Sequence, residues 1–356
     1  MKIGIDISAV LYGTGVSRYT ENLIKNLLLV DKENEYVLYG GSLRRRNEFV
    51  KFASKLHGNF KSKFFFFPPT LADVMWNRIH KVGIERLIGK VDVFHSSDWT
   101  QPPSKAFKVT TVHDLIPLKF PKFIHSKIVS VHKRRFEWVK KEADRVIVPS
   151  NATKEDLSVY GIPKEKIRII PEAPVHSLVK PAIMESVKRK YKLRTKYLLA
   201  VGVSPYKNTE RIIKAFDLVG GGSDLKLVVV GRPNYTEIDE RRGVVFVGAG
   251  SDEDWSALHS GAEALIFPSL YEGFGLPILD AFNCKTPVVT SNISSMPEVA
   301  GDAAVLVDPY DVNSIAEGIE KILRGKKGFV DKGTRRVKEF SWEKTARETL
   351  KVYKEN

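Results

Sequence analysis

The sequence predicts an α/β protein with two domains, each built around a parallel β-sheet. Short apolar runs of strand length alternate with segments of helical periodicity along most of the 356 residues. Prolines at positions 171, 174 and 181 interrupt this alternation near the middle of the chain. The length also fits two domains better than one.

The first domain is predicted to span residues 1–174. Strands are placed at apolar runs and helices where apolar residues recur every three or four positions. The basic stretch 44–63 receives no element, and 63–68 is a short apolar run. The predicted elements are strands at 2–7, 35–39, 91–95, 108–113, 145–148 and 166–170, a glycine-containing turn at 12–18, and helices at 19–29, at 126–143 and from a cap at Ser150 to about residue 160.

The second domain is predicted to span residues 175–340. Residues 341–356 are expected to form a helix that packs back on the first domain. Strands that alternate with helices imply right-handed connections and parallel sheets. The predicted strands lie at 197–202, 226–231, 244–248, 264–267, 287–290 and 304–307.

The composition is that of an ordinary globular protein, with 43% hydrophobic and 28% charged residues. No apolar run approaches the ~20 residues that a membrane-spanning helix needs. The N-terminus leads directly into a strand pattern, so we expect no signal peptide. Cys284 is the single cysteine, which excludes an intrachain disulfide. A cytoplasmic location is therefore the expectation.

The net charge of +15 is distributed unevenly. Residues 1–178 contain 30 Lys and Arg against 18 Asp and Glu, an excess of 12 positive charges. A solubilising surface explains this, and so does attraction to a polyanion such as an anionic membrane or a phosphate-bearing acceptor. No nucleic-acid motif is present, so we predict no nucleic-acid partner. Aromatic residues at 64–67 adjoin the basic stretch 44–63, which favours peripheral contact with anionic lipid as a hypothesis.

The most informative segment contains two acids, Glu272 and Asp280, eight positions apart. An apolar strand at 264–267 precedes them, two glycines lie between them, and a helical run follows. A glycine-containing turn lets backbone N–H groups approach an anion at the start of a helix. Two acids beside an anion pocket suit a ligand with a phosphate end and a polyol end. A nucleotide sugar has this layout.

This segment resembles the donor-site signature of retaining glycosyltransferases of family 4, which have the GT-B fold. The family pattern is Glu, seven residues, Glu, set in a phrase such as Tyr-Glu-Gly-Phe-Gly-Leu-Pro. Glu272 matches the first acid, and Asp280 is one methylene shorter than the second. Residues 294–309 also resemble the family, and the resemblance covers most of the chain. It implies two Rossmann-like domains whose parallel sheets face each other across a cleft.

The resemblance assigns roles to residues of the second domain. It implies that Glu272 holds hydroxyl groups of the transferred sugar and that Asp280 holds the ribose hydroxyls. Carboxylates make charge-assisted hydrogen bonds to vicinal hydroxyls, which are the stronger class. The backbone N–H groups near Gly273, Phe274 and Gly275 would meet the diphosphate.

The resemblance also implies that Lys207 neutralises the diphosphate leaving group. It follows a predicted strand and opens a helix. Many family members carry an arginine directly before this lysine or a few residues upstream. Tyr206 and Val203 occupy those places here, and Arg232 after the next strand is a candidate replacement.

In the first domain, the resemblance places His113 near the reacting sugar. His113 ends a predicted strand, where parallel sheets present ligands. Asp114 is expected to fix the loop, and His95 is a candidate for the acceptor side. In similar enzymes a backbone N–H of the turn that contains Gly13 and Gly15 closes on the donor phosphates. We therefore predict a catalytic set of His113, Glu272 and Lys207.

These features predict a retaining glycosyltransferase that uses neither a metal nor another cofactor. No Asp-x-Asp loop, paired-His spacing or cysteine cluster is present. The resemblance implies front-face attack, with mannose from GDP-mannose as the favoured transfer to a saccharide or lipid-linked acceptor. Two alternatives stay open. One is a sugar-nucleotide epimerase of the same fold, and the other is a non-catalytic nucleotide-sugar-binding protein, which the missing arginine and the shortened Asp280 would favour.

Overall fold

A computed structural model describes residues 1–220, 224–231, 243–248 and 250–356. The chain divides into two units. Unit 1 comprises Met1–Glu172 together with Ser341–Asn356, and unit 2 comprises Ala173–Phe340. Within the described ranges, no helix is both long and apolar enough to cross a membrane.

Unit 1, which the structure describes throughout, has a seven-stranded parallel sheet. The strands are β1 (Lys2–Asp6), β2 (Glu35–Gly41), β3 (Phe60–Phe65), β4 (Val93–Ser96), β5 (Phe107–Thr111), β6 (Arg145–Val148) and β7 (Ile167–Ile169). Their order is β3-β2-β1-β4-β5-β6-β7, and all neighbours are parallel. Ile3 and Ile5 of β1 are buried because helices cover both faces of such a sheet.

The helices of unit 1 connect these strands. They are α1 (Gly15–Val30), α2 (Arg46–Ala53), α3 (Pro69–Ala72), α4 (Glu85–Ile88), α5 (Ile116–Lys119), α6 (Ser126–Glu142) and α7 (Asn151–Val159). A π-helical segment, Asp73–Ile79, follows α3. Ser150 caps α7 as predicted, because its side chain accepts a hydrogen bond from the Thr153 N–H.

The described part of unit 2 contains a six-stranded parallel sheet. Its strands are β8 (Lys196–Val201), β9 (Leu225–Val230), β10 (Val244–Val247), β11 (Ala264–Phe267), β12 (Val288–Ser291) and β13 (Ala304–Val307), in the order β10-β9-β8-β11-β12-β13. Its helices are α8 (Pro181–Lys190), α9 (Thr209–Leu218), α10 (Asp252–Gly261), α11 (Leu276–Asn283), α12 (Met296–Ala300), α13 (Val312–Arg324) and α14 (Lys326–Arg336).

The last helix, α15 (Trp342–Tyr353), belongs to unit 1. Ser341 caps it by accepting a hydrogen bond from the Lys344 N–H. On its buried face, Ala346, Val352 and Tyr353 join the apolar core around β1 and α1.

The predicted α/β class with parallel sheets is confirmed. Two local predictions in unit 1 were wrong. Helix α1 begins at Gly15 rather than residue 19, because Ser17 Oγ accepts a hydrogen bond from the Thr14 N–H and stabilises the first turn. The basic stretch contains α2, whose Phe49 and Phe52 are buried although the charged residues around them hide the helical pattern.

Candidate active site

The strand order of unit 2 reverses direction between β8 and β11. Strands β9 and β10 lie on one side of this point, and β12 and β13 lie on the other. The loops after β8 and β11 leave the same edge of the sheet and diverge, which is where open parallel sheets bind ligands. Lys207 lies in the first loop and Glu272 in the second.

Lys207 and Glu272 form an ion pair at this point. The lysine Nζ lies 2.7 Å from Glu272 Oε1, and the two side chains are only 19% and 10% exposed. The ammonium group also lies 5.0 Å from the centre of the Phe267 ring. The structure therefore brings together two predicted site residues that are 65 positions apart in the sequence.

The position of Lys207 depends on Gly202, the first residue after β8. Gly202 has φ +87°, and a Cβ there would lie 2.9 Å from Lys207 Cγ. Another residue would strain the backbone and displace the lysine. Asn208 Nδ2 donates to the Pro268 carbonyl at 2.9 Å, which ties the loop after β8 to the loop after β11.

The turn at 273–275 is held by two serines that follow β12. Ser294 Oγ donates to the Glu272 carbonyl at 2.8 Å, and Ser295 Oγ donates to the Phe274 carbonyl at the same distance. These bonds fix the backbone on both sides of Gly273, so the turn is preorganised.

Gly275 has φ +101° and directly precedes α11. A left-handed conformation favours glycine, which explains its place at this helix start. The Phe274 side chain is buried in the core and lies edge-on to Phe340 at 6.1 Å between ring centres. The backbone, rather than this side chain, can therefore approach an anion at the start of α11.

Asp280 lies on α11 and is 5% exposed. Its Oδ1 accepts hydrogen bonds from the backbone N–H groups of Val175 at 2.7 Å and His176 at 2.9 Å. The carboxylate therefore ties the start of unit 2 to α11. Contact with a ribose stays a prediction, and the structure adds a structural role that the sequence did not indicate.

In unit 1, His113 lies two residues after β5. Its Nδ1 is 2.9 Å from Glu172 Oε1, and its ring is edge-on to Tyr19 with 4.5 Å between centres. Burial lowers the pKa of the imidazole, but the hydrogen bond and charge of Glu172 outweigh burial and raise the pKa of His113 overall. The carboxylate also favours a proton on Nδ1.

His95 lies in β4, and both of its ring nitrogens have buried partners. Nδ1 is 2.7 Å from the Tyr353 hydroxyl, and Nε2 is 2.9 Å from the Thr111 hydroxyl. Burial lowers the pKa of His95 to about 3, so the ring is neutral near pH 7. These contacts join β4, β5 and α15. A role on the acceptor side stays a hypothesis.

The remaining predicted positions of unit 1 lie at the start of α1 and in the loop after β5. Gly13 has φ +69°, and Gly15 is the first residue of α1. A Cβ at either glycine would meet no atom within 4 Å, so Gly13 is favoured by its backbone conformation rather than by crowding. Asp114 fixes its loop as expected, since Oδ1 accepts from the Ile116 N–H at 2.8 Å.

Sequence reasoning missed Glu172, the partner of His113. It lies 59 residues further along the chain, and no local pattern connects the two. It also missed the serines at 294 and 295, although they lie in a phrase that resembles the family.

Arg232, the candidate replacement for the missing arginine, lies outside the described residues. Tyr206 lies beside the lysine, with its ring centre 5.8 Å from Lys207 Nζ.

Two family models match the chain. Residues 13–173 match Glycosyltransferase Family 4, and residues 184–339 match Glycosyl transferases group 1. Residues 174–183 lie between the two matches. Each of the two units is thus matched by a model of glycosyltransferases.

Two curated relatives are named mannosyltransferases. O-antigen chain mannosyltransferase B of Escherichia coli is 28% identical over 288 residues, which cover 74% of each chain. The serotype-specific mannosyltransferase WbdA of Escherichia coli is 27% identical over 278 residues. That match covers 67% of this chain and 32% of WbdA, so the chain spans about a third of the length of that relative.

The fold also has a solved counterpart. Sucrose-phosphate synthase from Thermosynechococcus elongatus superimposes with a TM-score of 0.73 at 18% identity, over 100% of this chain and 98% of that one. This likeness concerns the fold alone. The likeness shows the GT-B fold, and the two family models, which together match most of the chain, show that this protein belongs to the family 4 glycosyltransferases.

Proposed function

We propose that this glycosyltransferase transfers a hexose, with mannose favoured, from a nucleotide sugar to a saccharide or lipid-linked acceptor. The transfer would retain the anomeric configuration and need no metal. The observation that carries the proposal is the Lys207–Glu272 pair, whose charged atoms are 2.7 Å apart at the carboxyl ends of β8 and β11. A cation next to a carboxylate suits the diphosphate and the sugar of such a donor.

In the proposed reaction, Lys207 stabilises the charge that develops on the leaving diphosphate. A preorganised charge partner of this kind is typically worth ~3 kcal/mol or more in the transition state. The backbone N–H groups at the start of α11 add partial positive charge. These groups would offset part of the negative charge of the diphosphate, and the proposal adds no metal ion to them.

Glu272 would accept hydrogen bonds from hydroxyl groups of the transferred sugar. Charge-assisted bonds of this type both orient the sugar and select among hexoses. We also propose that His113, whose ring is oriented by Glu172, acts near the reacting sugar. In a front-face mechanism, the departing diphosphate helps to remove the proton of the attacking hydroxyl, so the bond to the acceptor forms on the side from which the diphosphate leaves.

The preference for mannose and GDP-mannose draws on the relatives named as mannosyltransferases. It can be tested by thermal shift against a panel of GDP-, UDP- and ADP-sugars. A ligand that binds only the native state raises the apparent stability. We expect GDP-mannose to raise the Tm most, and a larger shift with a UDP- or ADP-sugar would contradict the donor assignment.

Turnover is tested with the donor that stabilises the protein, mannoside acceptors and a chelator. The proposal expects a glycoside product with the donor's anomeric configuration, measured by proton NMR. An inverted product, or activity abolished by the chelator, would contradict retention or metal independence respectively. A changed nucleotide sugar formed from donor alone would instead favour the epimerase, and binding without turnover would favour the non-catalytic protein.

A further inference from the structure

A small cavity in unit 1 lies beside His113 at the carboxyl ends of β1, β4 and β5. Its volume is about 30 Å³, and its lining includes Asp6, Ser96, Asp98 and Thr111. A space of this size holds a water-sized group. A single hydroxyl group can therefore enter it, whereas a complete sugar ring cannot.

Three buried polar atoms in this part of unit 1 have no hydrogen-bond partner among the described residues. They are Oδ1 of Asp98, Nε of Arg135 and Nε2 of Gln101. The side chains of Arg135 and Gln101 are fully embedded, with residue exposures of 3% and 0%. Buried polar groups in native proteins almost always have partners, because an unsatisfied one is costly. Of the three residues, Asp98 lines the cavity, so its unsatisfied Oδ1 indicates a place prepared for a polar group.

A chain of hydrogen bonds connects two of these side chains to the wall of the cavity. Arg135 Nη2 donates to Thr110 Oγ1 at 2.7 Å. Ser96 Oγ lies 2.8 Å from Thr110 Oγ1 and 2.7 Å from Gln101 Oε1. Arg135 and Gln101 do not line the cavity themselves, but these bonds connect them to Ser96, which does.

This part of unit 1 contains buried charge of both signs. Burial lowers the pKa of Arg135 to about 10, while the negative charge of Asp98 opposes this effect. Arg135 is therefore still a cation near neutral pH. The charge of Asp98 likewise favours the protonated form of His113. Asp98 is thus electrostatically coupled both to the buried cation and to the predicted catalytic histidine.

We propose that Asp98 binds a hydroxyl group of the acceptor that enters this cavity. A hydroxyl is both a donor and an acceptor. It can donate to Asp98 Oδ1, which would satisfy this buried acceptor. The inference rests on the proposed function, since it assigns the hydroxyl to a saccharide acceptor, and it names a substrate-binding residue next to His113.

The test uses the full-length protein with methyl α-D-mannopyranoside as the probe. Calorimetry measures the affinity for the glycoside, and the affinity for GDP is measured on the same preparation. Asp98→Asn keeps the shape of the side chain but removes its charge. We expect the glycoside affinity to fall about 10- to 100-fold, the range for a hydrogen bond to a charged group, with GDP affinity and Tm unchanged.

Asp92→Asn is the matched control. Asp92 directly precedes β4 at the amino end, where it accepts from the Lys2 N–H, whereas Asp98 follows β4 at the carboxyl end. The same chemical change at the opposite edge of the sheet should leave glycoside affinity unchanged.

Monodeoxy mannosides then identify the hydroxyl. One of them should bind wild-type protein weakly yet lose no further affinity in Asp98→Asn, because the two changes remove the same interaction. The inference would be overturned if, for every monodeoxy mannoside, the affinity lost through Asp98→Asn and the affinity lost through the missing hydroxyl simply added together. So would normal glycoside affinity in Asp98→Asn, a joint loss of GDP affinity or Tm, or no saturable glycoside binding by the wild type. Failure of the proposed function looks different, because the wild type would bind the glycoside but transfer no sugar from any nucleotide sugar.

Discussion

At the scale of single residues, Lys207 offers the most direct test of donor chemistry. We expect Lys207→Ala to reduce kcat/KM by about 100-fold or more, because it removes a charge partner of the leaving diphosphate. Steady-state kinetics measure the loss, and thermal denaturation checks that the variant stays folded after it loses the ion pair with Glu272. The control is Lys214→Ala, which removes an exposed lysine of α9. Near-normal turnover by Lys207→Ala would take this lysine out of the site.

Asp280 and Glu272 should differ in what their replacement damages. Asp280→Ala is expected to weaken nucleoside diphosphate binding and also to lower stability by about 1–3 kcal/mol, because two backbone N–H groups lose their acceptor. Glu272→Ala should spare nucleoside diphosphate binding and reduce sugar transfer. Calorimetry and thermal denaturation separate the two effects.

Asp280→Asn serves as the control for this pair, since its amide oxygen can still accept from the backbone while the charge is lost. It should be more stable than Asp280→Ala. Equal losses of nucleoside diphosphate affinity in the alanine variants at 272 and 280 would contradict the division of roles.

The His113–Glu172 pair predicts a defined pH dependence. The folded-state pKa of His113 is raised above its ordinary value of 6.5, so the stabilisation from this pair is complete below about pH 6.5. It is lost as the pH rises through the raised pKa. In Glu172→Gln, burial should dominate and lower the pKa of His113. NMR titration of the ring measures the shift, and a difference in unfolding free energy that does not vary with pH would contradict the assignment.

At the scale of elements, the basic and aromatic segments of unit 1 are only partly available to a membrane. Phe64 stacks on Phe49 at 5.3 Å between ring centres, and Phe65 and Phe67 pack against the core. Phe66 is the exception, at 70% exposed. The aromatic run is therefore mainly core, and contact with lipid would depend on Phe66 and the charges around it.

Peripheral contact with anionic lipid nevertheless stays testable. The Arg46 guanidinium lies 5.2 Å from the Phe66 ring centre, so a cation and an aromatic share one surface. We expect co-sedimentation with anionic vesicles at low salt, reduced by Phe66→Ala, because each nearby basic residue contributes ~1 kcal/mol. Val159→Ala, which changes an exposed residue of α7, is the control. Binding that ignores lipid charge, or no binding at low salt, would favour a soluble acceptor.

The elements were predictable to different degrees for physical reasons. Buried parallel strands such as β11 consist of unbroken apolar runs, which stand out in any sequence. Helix α2 has only two buried residues among charged neighbours, so its periodicity is weak. Helix α1 begins with a side-chain hydrogen bond between small residues, which leaves no hydrophobic signal.

At the scale of the whole molecule, the sequence predicted which loops carry the candidate site but not the contacts within it. Lys207 and Glu272 follow strands, and topology alone brings such loops together. The partners of His113 and Asp280 lie 59 and more than 100 residues away, in segments without a motif. Such contacts depend on where the chain lies after many intervening helices and strands. A local sequence pattern does not encode that position.

The return of the chain to unit 1 also constrains the order of folding during synthesis. Unit 2 is one continuous segment, Ala173–Phe340, whereas unit 1 combines Met1–Glu172 with Ser341–Asn356, which are made before and after it. The apolar face of α1 has no α15 to cover it until residues 342–353 have left the ribosome. A nascent chain can thus complete its later-made unit first, while the earlier-made one waits with exposed apolar surface. That interval is when chaperones or proteases would have the best access to this protein.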